Sequence, residues 1–93
     1  MTNYSKGANF ERRIQHYYDS LNYLTIRSAG SHSPIDLLAI PKGDDSRPFI
    51  AIQCKSYKKT RPKPDPAFIA LKIPATKVWA TKKFHKPIEL EVV

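Results

Sequence analysis

The sequence predicts a small α/β fold, with helices packed on a mixed sheet and elements in the order α-β-β-β-α-β-β. Apolar residues recur at helical spacing over residues 8–22, which predicts a first amphipathic helix. Two apolar runs, 35–40 and 49–54, flank a stretch rich in Pro, Gly and Asp. This arrangement predicts two strands joined as a hairpin.

The first helix is expected to bury one face against the sheet. Its apolar residues form a single stripe: Phe10, Ile14, Tyr17, Tyr18 and Leu21. Glu11 lies at the edge of this stripe, whereas Arg12 faces water. Residues 5–7 offer a cap and a flexible entry to the helix, and Asn22 is expected to end it.

Segments without regular structure are expected on both sides of the hairpin. A first strand over residues 23–27 leads into a small polar loop at 28–34, where Gly30 permits a tight turn. After the hairpin, residues 58–66 form a basic loop whose three prolines exclude regular structure and favour extended backbone.

A second, short helix is expected over residues 66–73. Asp65-Pro66 is a favourable pair for the N-cap and the first turn, and the helix must end before Pro74. Its buried side would consist of Phe68, Ile69, Leu71 and Ile73.

Two closing strands are expected at residues 78–80 and 88–93, with residues 82–87 as their turn. The sequence shows no internal repeat and no long linker. The 93 residues are those of one small domain with a core that is only marginally sufficient. The whole chain, residues 1–93, is therefore expected to form a single domain.

The charge balance predicts a polyanionic partner. The chain has 16 Lys and Arg residues against 8 Asp and Glu, a formal net charge of +8. In so short a chain, such an excess most often indicates nucleic acid. Four of the cations lie in the basic loop, and their contacts with phosphates would be independent of base sequence: Lys58, Lys59, Arg61 and Lys63.

The single cysteine, Cys54, excludes an internal disulfide and fits a reducing compartment. Its strand face also carries Ile50 and Ile52, so its side chain is expected in the core. No apolar run approaches the ~20 residues of a membrane span, and the first residues lack the apolar segment of a signal peptide. The chain is therefore expected to act in the cytoplasm, without a membrane partner.

Polar side chains interrupt both apolar runs of the hairpin at one end. Asp36 begins the first run, and Gln53 and Lys55 point to the same side of the second. Carboxylate and amide oxygens are ligands that Mg²⁺ prefers, and the main-chain carbonyl of Cys54 could add a third. Glu11 could reach the same place directly or through a water. The pattern therefore predicts a Mg²⁺ site, in which Mn²⁺ would substitute.

Lys55 beside such a metal could position or deprotonate an attacking water, or stabilise charge on a phosphodiester, as metal-assisted hydrolysis requires. Each residue taken alone also has a structural explanation. Asp36 could shape a turn, and Gln53 with Lys55 could form the solvent face of a strand. Glu11 could be a solvated helix carboxylate, and His32 a plain loop residue instead of a substrate contact. The functional prediction rests on the combination.

The same residues, with the loop before Asp36, resemble a known family. Glu11 on a first helix, Arg-Ser-Ala-Gly-Ser at 27–31, Pro34-Ile35-Asp36 and Gln53-Cys54-Lys55 look like the PD-(D/E)XK nuclease superfamily. Within it, the run at 27–31 is similar to the archaeal-type (Hjc-like) Holliday junction resolvases and their viral relatives. The resemblance covers roughly residues 6–57. It implies a restriction-endonuclease-like fold, a mixed central sheet flanked by helices.

The resemblance also implies a role for each site residue. Asp36 and Gln53 would bind the metal, Glu11 would complete its site, and Lys55 would assist the water. Ser31 would contact the metal shell or the scissile phosphate. A symmetric homodimer that nicks two strands of a branched DNA is implied as well. Together with the charge pattern, contacts with DNA are expected from Lys6, Arg12, Arg27, His32, Lys58, Lys59, Arg61 and Lys63.

Gln53 stands where these nucleases usually have Glu, and its Gln-Cys-Lys run is similar to that of the Mrr-type restriction nucleases. The favoured interpretation is a Mg²⁺-dependent, structure-specific DNA endonuclease that resembles a Holliday junction resolvase. Three alternatives stay open: a duplex-cutting restriction or repair nuclease, a non-catalytic nucleic-acid-binding module on the same scaffold, and a structural component of a ribonucleoprotein.

Overall fold

A computed structural model describes residues 3–28, 33–43 and 46–93, with side chains from residue 9 onward. Two helices and five strands follow in the order that the sequence predicts. Their bounds are α1 (Asn3–Ser20), β1 (Tyr23–Arg27), β2 (Leu37–Pro41), β3 (Phe49–Tyr57), α2 (Pro66–Ala70), β4 (Ala75–Lys83) and β5 (Ile88–Val92).

The five strands form one mixed sheet in the order β1-β2-β3-β4-β5. Neighbouring strands pair antiparallel, except that β3 and β4 run parallel along all nine residues of each. Parallel neighbours cannot be joined by a tight hairpin, and residues 58–74, which include α2, make the longer connection. The predicted fold class, α/β with a mixed sheet, is confirmed.

Helix α1 begins earlier in the chain than predicted, and fewer of its apolar residues are buried. It begins at Asn3, so residues 5–7 lie within the helix and the predicted cap there is wrong. Its end is as predicted, because Asn22 adopts a φ of 66° and its N–H donates to the carbonyl of Asp19. A left-handed residue of this kind is a common helix terminator.

The main core lies between α1 and one face of the sheet. Phe10, Ile14 and Tyr18 are buried there, whereas Tyr17 and Leu21 are 48% and 43% exposed, which contradicts their predicted place in the stripe. A spacing of four keeps the three buried residues on one side of the helix, Tyr17 lies about 100° from Tyr18, and Leu21 lies beyond the last helical residue, Ser20. The sheet contributes Tyr23, Leu37, Ala39, Ile50, Ile52, Val78 and Ala80.

Helix α2 is a single short segment on the opposite face. Asp65 caps it as predicted, its carboxylate accepting from the N–H of Ala67 at 2.9 Å. The helix ends at Ala70, earlier than predicted, and Ile69 is 43% exposed, so of the four predicted buried residues Phe68 alone is fully buried. The backbone becomes extended at Leu71, and the ammonium of Lys77 donates to the carbonyls of Ile69 and Leu71, which satisfies acceptors that the end of the helix leaves unpaired.

Strand β4 extends well beyond the predicted residues 78–80. Its parallel pairing with β3 continues to Lys82 and Lys83, so these two lysines belong to the strand and not to the turn. The turn begins after Lys83, where His85 has a φ of 63°. Within the part of the chain that the structure describes, no helix is long and apolar enough to cross a membrane.

Two isoleucines of contrasting burial test where the core lies. Ile52 is fully buried, and replacing it with Ala is expected to lower the free energy of unfolding by about 2–5 kcal/mol, because it leaves a cavity. The same replacement at the exposed Ile69 is expected to change it by about 0.5 kcal/mol or less. Urea unfolding at equilibrium measures both, and equal effects would contradict the assignment of the core.

Candidate active site

Asp36 is fixed at the point where β2 begins. Its N–H donates to the carbonyl of Ile52 and its carbonyl accepts from the N–H of Ser28, both at 2.9 Å. The residue therefore bridges the end of β1 and the middle of β3. Its side chain is half-buried, and one carboxylate oxygen accepts from the N–H of Cys54 at 2.7 Å.

The Cys54 hydrogen bond has a topological cause. The pairing of β2 with β3 ends at Leu37 and Ile52, whereas β3 continues to Tyr57 beside β4. In a strand, residues i and i+2 direct their main-chain groups toward the same neighbour. The N–H and carbonyl of Cys54 therefore face the side that β2 has left, where Asp36 supplies an acceptor.

Asp36, Gln53 and Lys55 come together in one pocket of about 330 Å³, as the hairpin pattern predicts. The side-chain oxygen of Gln53 accepts from the main-chain N–H of Asp65 at 3.1 Å. Lys55 is exposed at the same end of β3. The residues that line the pocket are Asp36, Gln53, Cys54, Lys55, Pro62, Lys63, Asp65 and Trp79.

The electrostatics of Asp36 are dominated by burial. Desolvation raises the pKa of this carboxyl above its usual 3.8, and the hydrogen bond from Cys54 and the charge of Lys55 act against that rise. The thiol of Cys54 packs against the main core. Burial, and then the charges of Asp36 and Glu11, raise the pKa of this thiol strongly. Cys54 thus contributes its main-chain groups to the pocket, while its thiol stays protonated.

Glu11 lies near Asp36 but is held by an arginine. Its carboxylate accepts from the Nε of Arg27 at 2.9 Å, and its side chain is 21% exposed. Desolvation raises the pKa of Glu11 above 4.5, Arg27 lowers it, and the negative charge of Asp36 raises it. The two carboxyls therefore sense each other across the end of the sheet, although Glu11 is not among the pocket-lining residues.

The oxygen atoms around Asp36 suit a hard divalent cation. A carboxylate, an amide oxygen and the Cys54 carbonyl are the donors that Mg²⁺ accepts, with water in the remaining positions. The charge of Asp36 raises the pKa of Glu11, so two acidic groups lie near each other where a cation would offset their charge. Among the described residues, however, no group of three or more His, Cys, Asp and Glu could hold a metal ion. The residues fit a site with few carboxylates.

The predicted contacts with DNA fall into two groups. Arg12, Lys58, Lys59 and Lys63 are exposed, and Lys63 lines the pocket. Arg27 is paired with Glu11, and Arg61 is paired with glutamates of β5, so both guanidinium groups have partners within the chain. For all of these residues, binding to DNA stays a prediction. Ser31, His32 and the side chain of Lys6 lie outside the described residues.

The position of the basic loop at the pocket could not be read from the sequence. Pro62, Lys63 and Asp65 form one of its walls, and Trp79 donates its indole N–H to the carbonyl of Pro62 at 3.2 Å. The Asp65-Pro66 pair predicts the start of a helix, but it does not predict which other residues lie next to that helix start. The alternation of β4, which puts Trp79 on the face of Gln53, is the one local clue.

No protein-family model matches this chain, and no curated protein does. Among solved structures, the chain is similar to Hjc of Archaeoglobus fulgidus, described as a Holliday junction resolvase from an archaeal hyperthermophile. The TM-score is 0.67 and the sequence identity 24%, and the match covers 91% of this chain and 70% of that one. This likeness in fold supports the predicted fold class.

The raised pKa of Asp36 predicts a specific pH dependence of stability. The folded chain holds the Asp36 proton more tightly than the unfolded chain does, so this contribution is complete below the unfolded pKa. It is lost as the pH rises through the folded value. Relative to Asp36→Asn, the wild type is therefore expected to lose stability as the pH rises above the unfolded value of 3.8, measured by urea unfolding at a series of pH values from about 4 to 7.

Asp36→Ala provides the matched control, since Asn can still accept from the N–H of Cys54 and Ala cannot. The Ala variant is expected to be less stable than the Asn variant by about 1–3 kcal/mol at every pH in the range. A wild type that gains stability over Asp36→Asn as the pH rises would contradict the burial of this carboxyl.

Proposed function

We propose that this chain is a metal-dependent endonuclease that hydrolyses phosphodiester bonds in branched DNA, with a four-way Holliday junction as its substrate. The observation that carries the proposal is the convergence of Asp36, Gln53 and Lys55 in one pocket at the end of the β2–β3 hairpin. The likeness in fold to a Holliday junction resolvase supports the choice of substrate.

In this proposal Asp36, Gln53 and the carbonyl of Cys54 hold Mg²⁺, or Mn²⁺ in its place. A bound divalent cation would polarise the phosphate and lower the pKa of a water that it binds. The hydrogen bond from Cys54 fixes the Asp36 carboxylate before any ligand arrives, which lowers the reorganisation that binding requires. Glu11 completes the site, directly or through a water, from its place beside Arg27.

Lys55 supplies the positive charge of the proposed reaction. Its ammonium is exposed at the pocket, where it can donate hydrogen bonds to a phosphate oxygen or orient the attacking water. Negative charge grows on the phosphate oxygens as the water oxygen attaches to phosphorus and the bond to the leaving oxygen breaks. A positioned cation stabilises that charge more in the transition state than in the ground state.

The surface around the pocket fits a polyanion. Lys58, Lys59 and Lys63 are exposed in the loop that forms its wall, and the chain carries a net charge of +8. A non-catalytic DNA-binding module is the second candidate. Two features favour the binding module. Gln53 is a neutral ligand, and the described residues contain no group of three or more His, Cys, Asp and Glu that could hold a metal ion.

Cleavage of an immobile four-way junction tests the proposal, alongside linear duplex and single strand of the same sequence. Symmetric nicks on the junction are expected with Mg²⁺ or Mn²⁺ and not with EDTA. Asp36→Asn is expected to reduce the cleavage rate about a hundredfold or more, because it removes the carboxylate that would bind the metal in this proposal. The readout is the rate of product formation under single-turnover conditions.

Asp19→Asn is the matched control, since it makes the same change at an exposed position of α1. It is expected to cleave at the wild-type rate. Cutting of linear duplex at the same rate would replace the junction with a restriction- or repair-type substrate. Tight junction binding without cleavage, equal in wild type and Asp36→Asn, would establish the binding module and overturn the nuclease.

We also propose that the active form is a homodimer, because resolution of a junction requires two incisions. The sheet face opposite α1 carries an apolar surface over β1, β2 and the start of β3. Leu24, Ile26 and Phe49 are 51%, 47% and 45% exposed there. Leu38 and Ile40 lie beside them as cross-strand partners. This surface is uncharged, so a second copy suits it better than DNA does.

The position of this apolar surface suits paired incision. Asp36 precedes Leu38 by two residues, so the pocket lies at one end of the same sheet face. A second copy related by a two-fold axis that runs along the strands would place its own pocket on the same side of the assembly. Two active sites could then face the two crossing strands of one junction.

Charge introduced into the apolar surface tests the dimer. Ile26→Glu is expected to convert a dimer into a monomer of 10.6 kDa, because it would bury an unpaired carboxylate. Val92→Glu, the same charge on the opposite face at β5, is expected to remain dimeric. Sedimentation velocity gives the mass of each. A monomeric wild type at all concentrations would contradict the dimer, and two dimeric variants would exclude this surface.

A further inference from the structure

An arginine attaches the basic loop to the sheet, in the part of the loop that precedes α2 (residues 58–65). The guanidinium of Arg61 donates through Nε to the hydroxyl of Thr81 at 3.0 Å. It also lies 3.1 Å from the carboxylate of Glu91 and 3.5 Å from that of Glu89. One side chain of the loop thus contacts β4 and β5 together.

Thr81 gives this contact a buried anchor. It is fully buried, and it pairs across the sheet with Lys55 on β3 and Glu89 on β5. A buried hydroxyl requires a hydrogen-bond partner, and Arg61 provides it. The ion pairs alone would contribute little, because Glu89 and Glu91 are largely exposed. The buried hydroxyl makes the attachment specific in geometry.

Two further hydrogen bonds continue the attachment along the loop. The indole N–H of Trp79 donates to the carbonyl of Pro62, and the N–H of Asp65 donates to the side-chain oxygen of Gln53. Lys63 lies between these two points and lines the pocket with Gln53. The loop has no regular secondary structure of its own, so its path over the pocket depends on these three contacts.

We propose that Arg61 is a positioning residue that holds the basic loop in place as the wall of the active site, and that the loop thereby presents Lys63 to the substrate phosphate. This inference rests on the proposed nuclease function. It replaces the expectation that Arg61 itself contacts DNA. Its guanidinium is engaged by Thr81, Glu89 and Glu91, whereas the ammonium of Lys63 is exposed at the pocket.

Trp79 reports on the loop without any need for activity. It is the single tryptophan of the chain, it is 3% exposed, and its indole contacts the loop directly. Arg61→Gln is expected to free the loop, which exposes the indole to water. Quenching of its fluorescence by acrylamide should therefore increase about twofold or more, while circular dichroism shows an unchanged fold. Lys59→Gln removes one charge from the same loop and should leave quenching unchanged.

The kinetic readout separates positioning from binding. Arg61→Gln is expected to lower the single-turnover cleavage rate by about tenfold to a hundredfold, as small misplacements of active-site groups do. Its affinity for the junction should fall no further than that of Lys59→Gln, because both variants lose one positive charge. Arg61→Lys should restore part of the rate and part of the protection of Trp79.

Glu91→Gln distinguishes a role of Arg61 in positioning the loop from a direct contact of Arg61 with DNA. If Arg61 contacted DNA, removal of Glu91 would release the arginine, raise the affinity and preserve cleavage. If Arg61 positions the loop through Thr81, the same change should leave the affinity and the cleavage rate near those of the wild type and alter the quenching of Trp79 less than Arg61→Gln does, because the exposed ion pair contributes little. Unchanged quenching in Arg61→Gln would overturn the proposal. A chain that cleaves nothing would refute the nuclease alone, because the quenching experiment still decides whether Arg61 holds the loop.

Discussion

The hydrogen bond from the N–H of Cys54 to the carboxylate of Asp36 is the interaction on which the candidate site depends. It forms because the pairing of β2 with β3 ends at Ile52, five residues before the end of β3 at Tyr57, so that the N–H of Cys54 has no strand partner on that side. A carboxylate at the first residue before β2 satisfies that donor and is itself fixed by it. The fold thus leaves a main-chain donor that requires an acceptor at the same point where the proposed reaction requires a carboxylate.

The wall of the pocket that the basic loop forms has a different origin. Helix α2 has five residues and covers little of the sheet, so most of the connection from β3 to β4 has no regular secondary structure. The backbone groups of such a segment must find hydrogen-bond partners elsewhere. It finds them in Thr81, Trp79 and Gln53, which lie on neighbouring strands at the pocket. A short chain can build a two-sided pocket in this way without a longer helix.

Local sequence pattern was sufficient for the part of the site that lies on one hairpin. Alternation along β3 and the turn before it place Gln53, Lys55 and Asp36 together, because strand geometry leaves little freedom once the pairing is known. The partners of Arg61 and Glu11 could not be predicted, since they join elements that are distant in the chain. The length of β4 was also missed, because Lys82 and Lys83 have the composition of a turn and are held in the strand by parallel pairing with β3.

Gln53 has a role both in the structure of the pocket and in the proposed chemistry. Its oxygen accepts from the N–H of Asp65, and a glutamate there could accept the same bond. A second carboxylate beside Asp36 would, however, add repulsion to a group whose pKa burial already raises. The amide keeps the loop attached without that repulsion, at the cost of a weaker attraction for a divalent cation. In the proposed reaction, the phosphate of the substrate would supply the negative charge that draws the cation in.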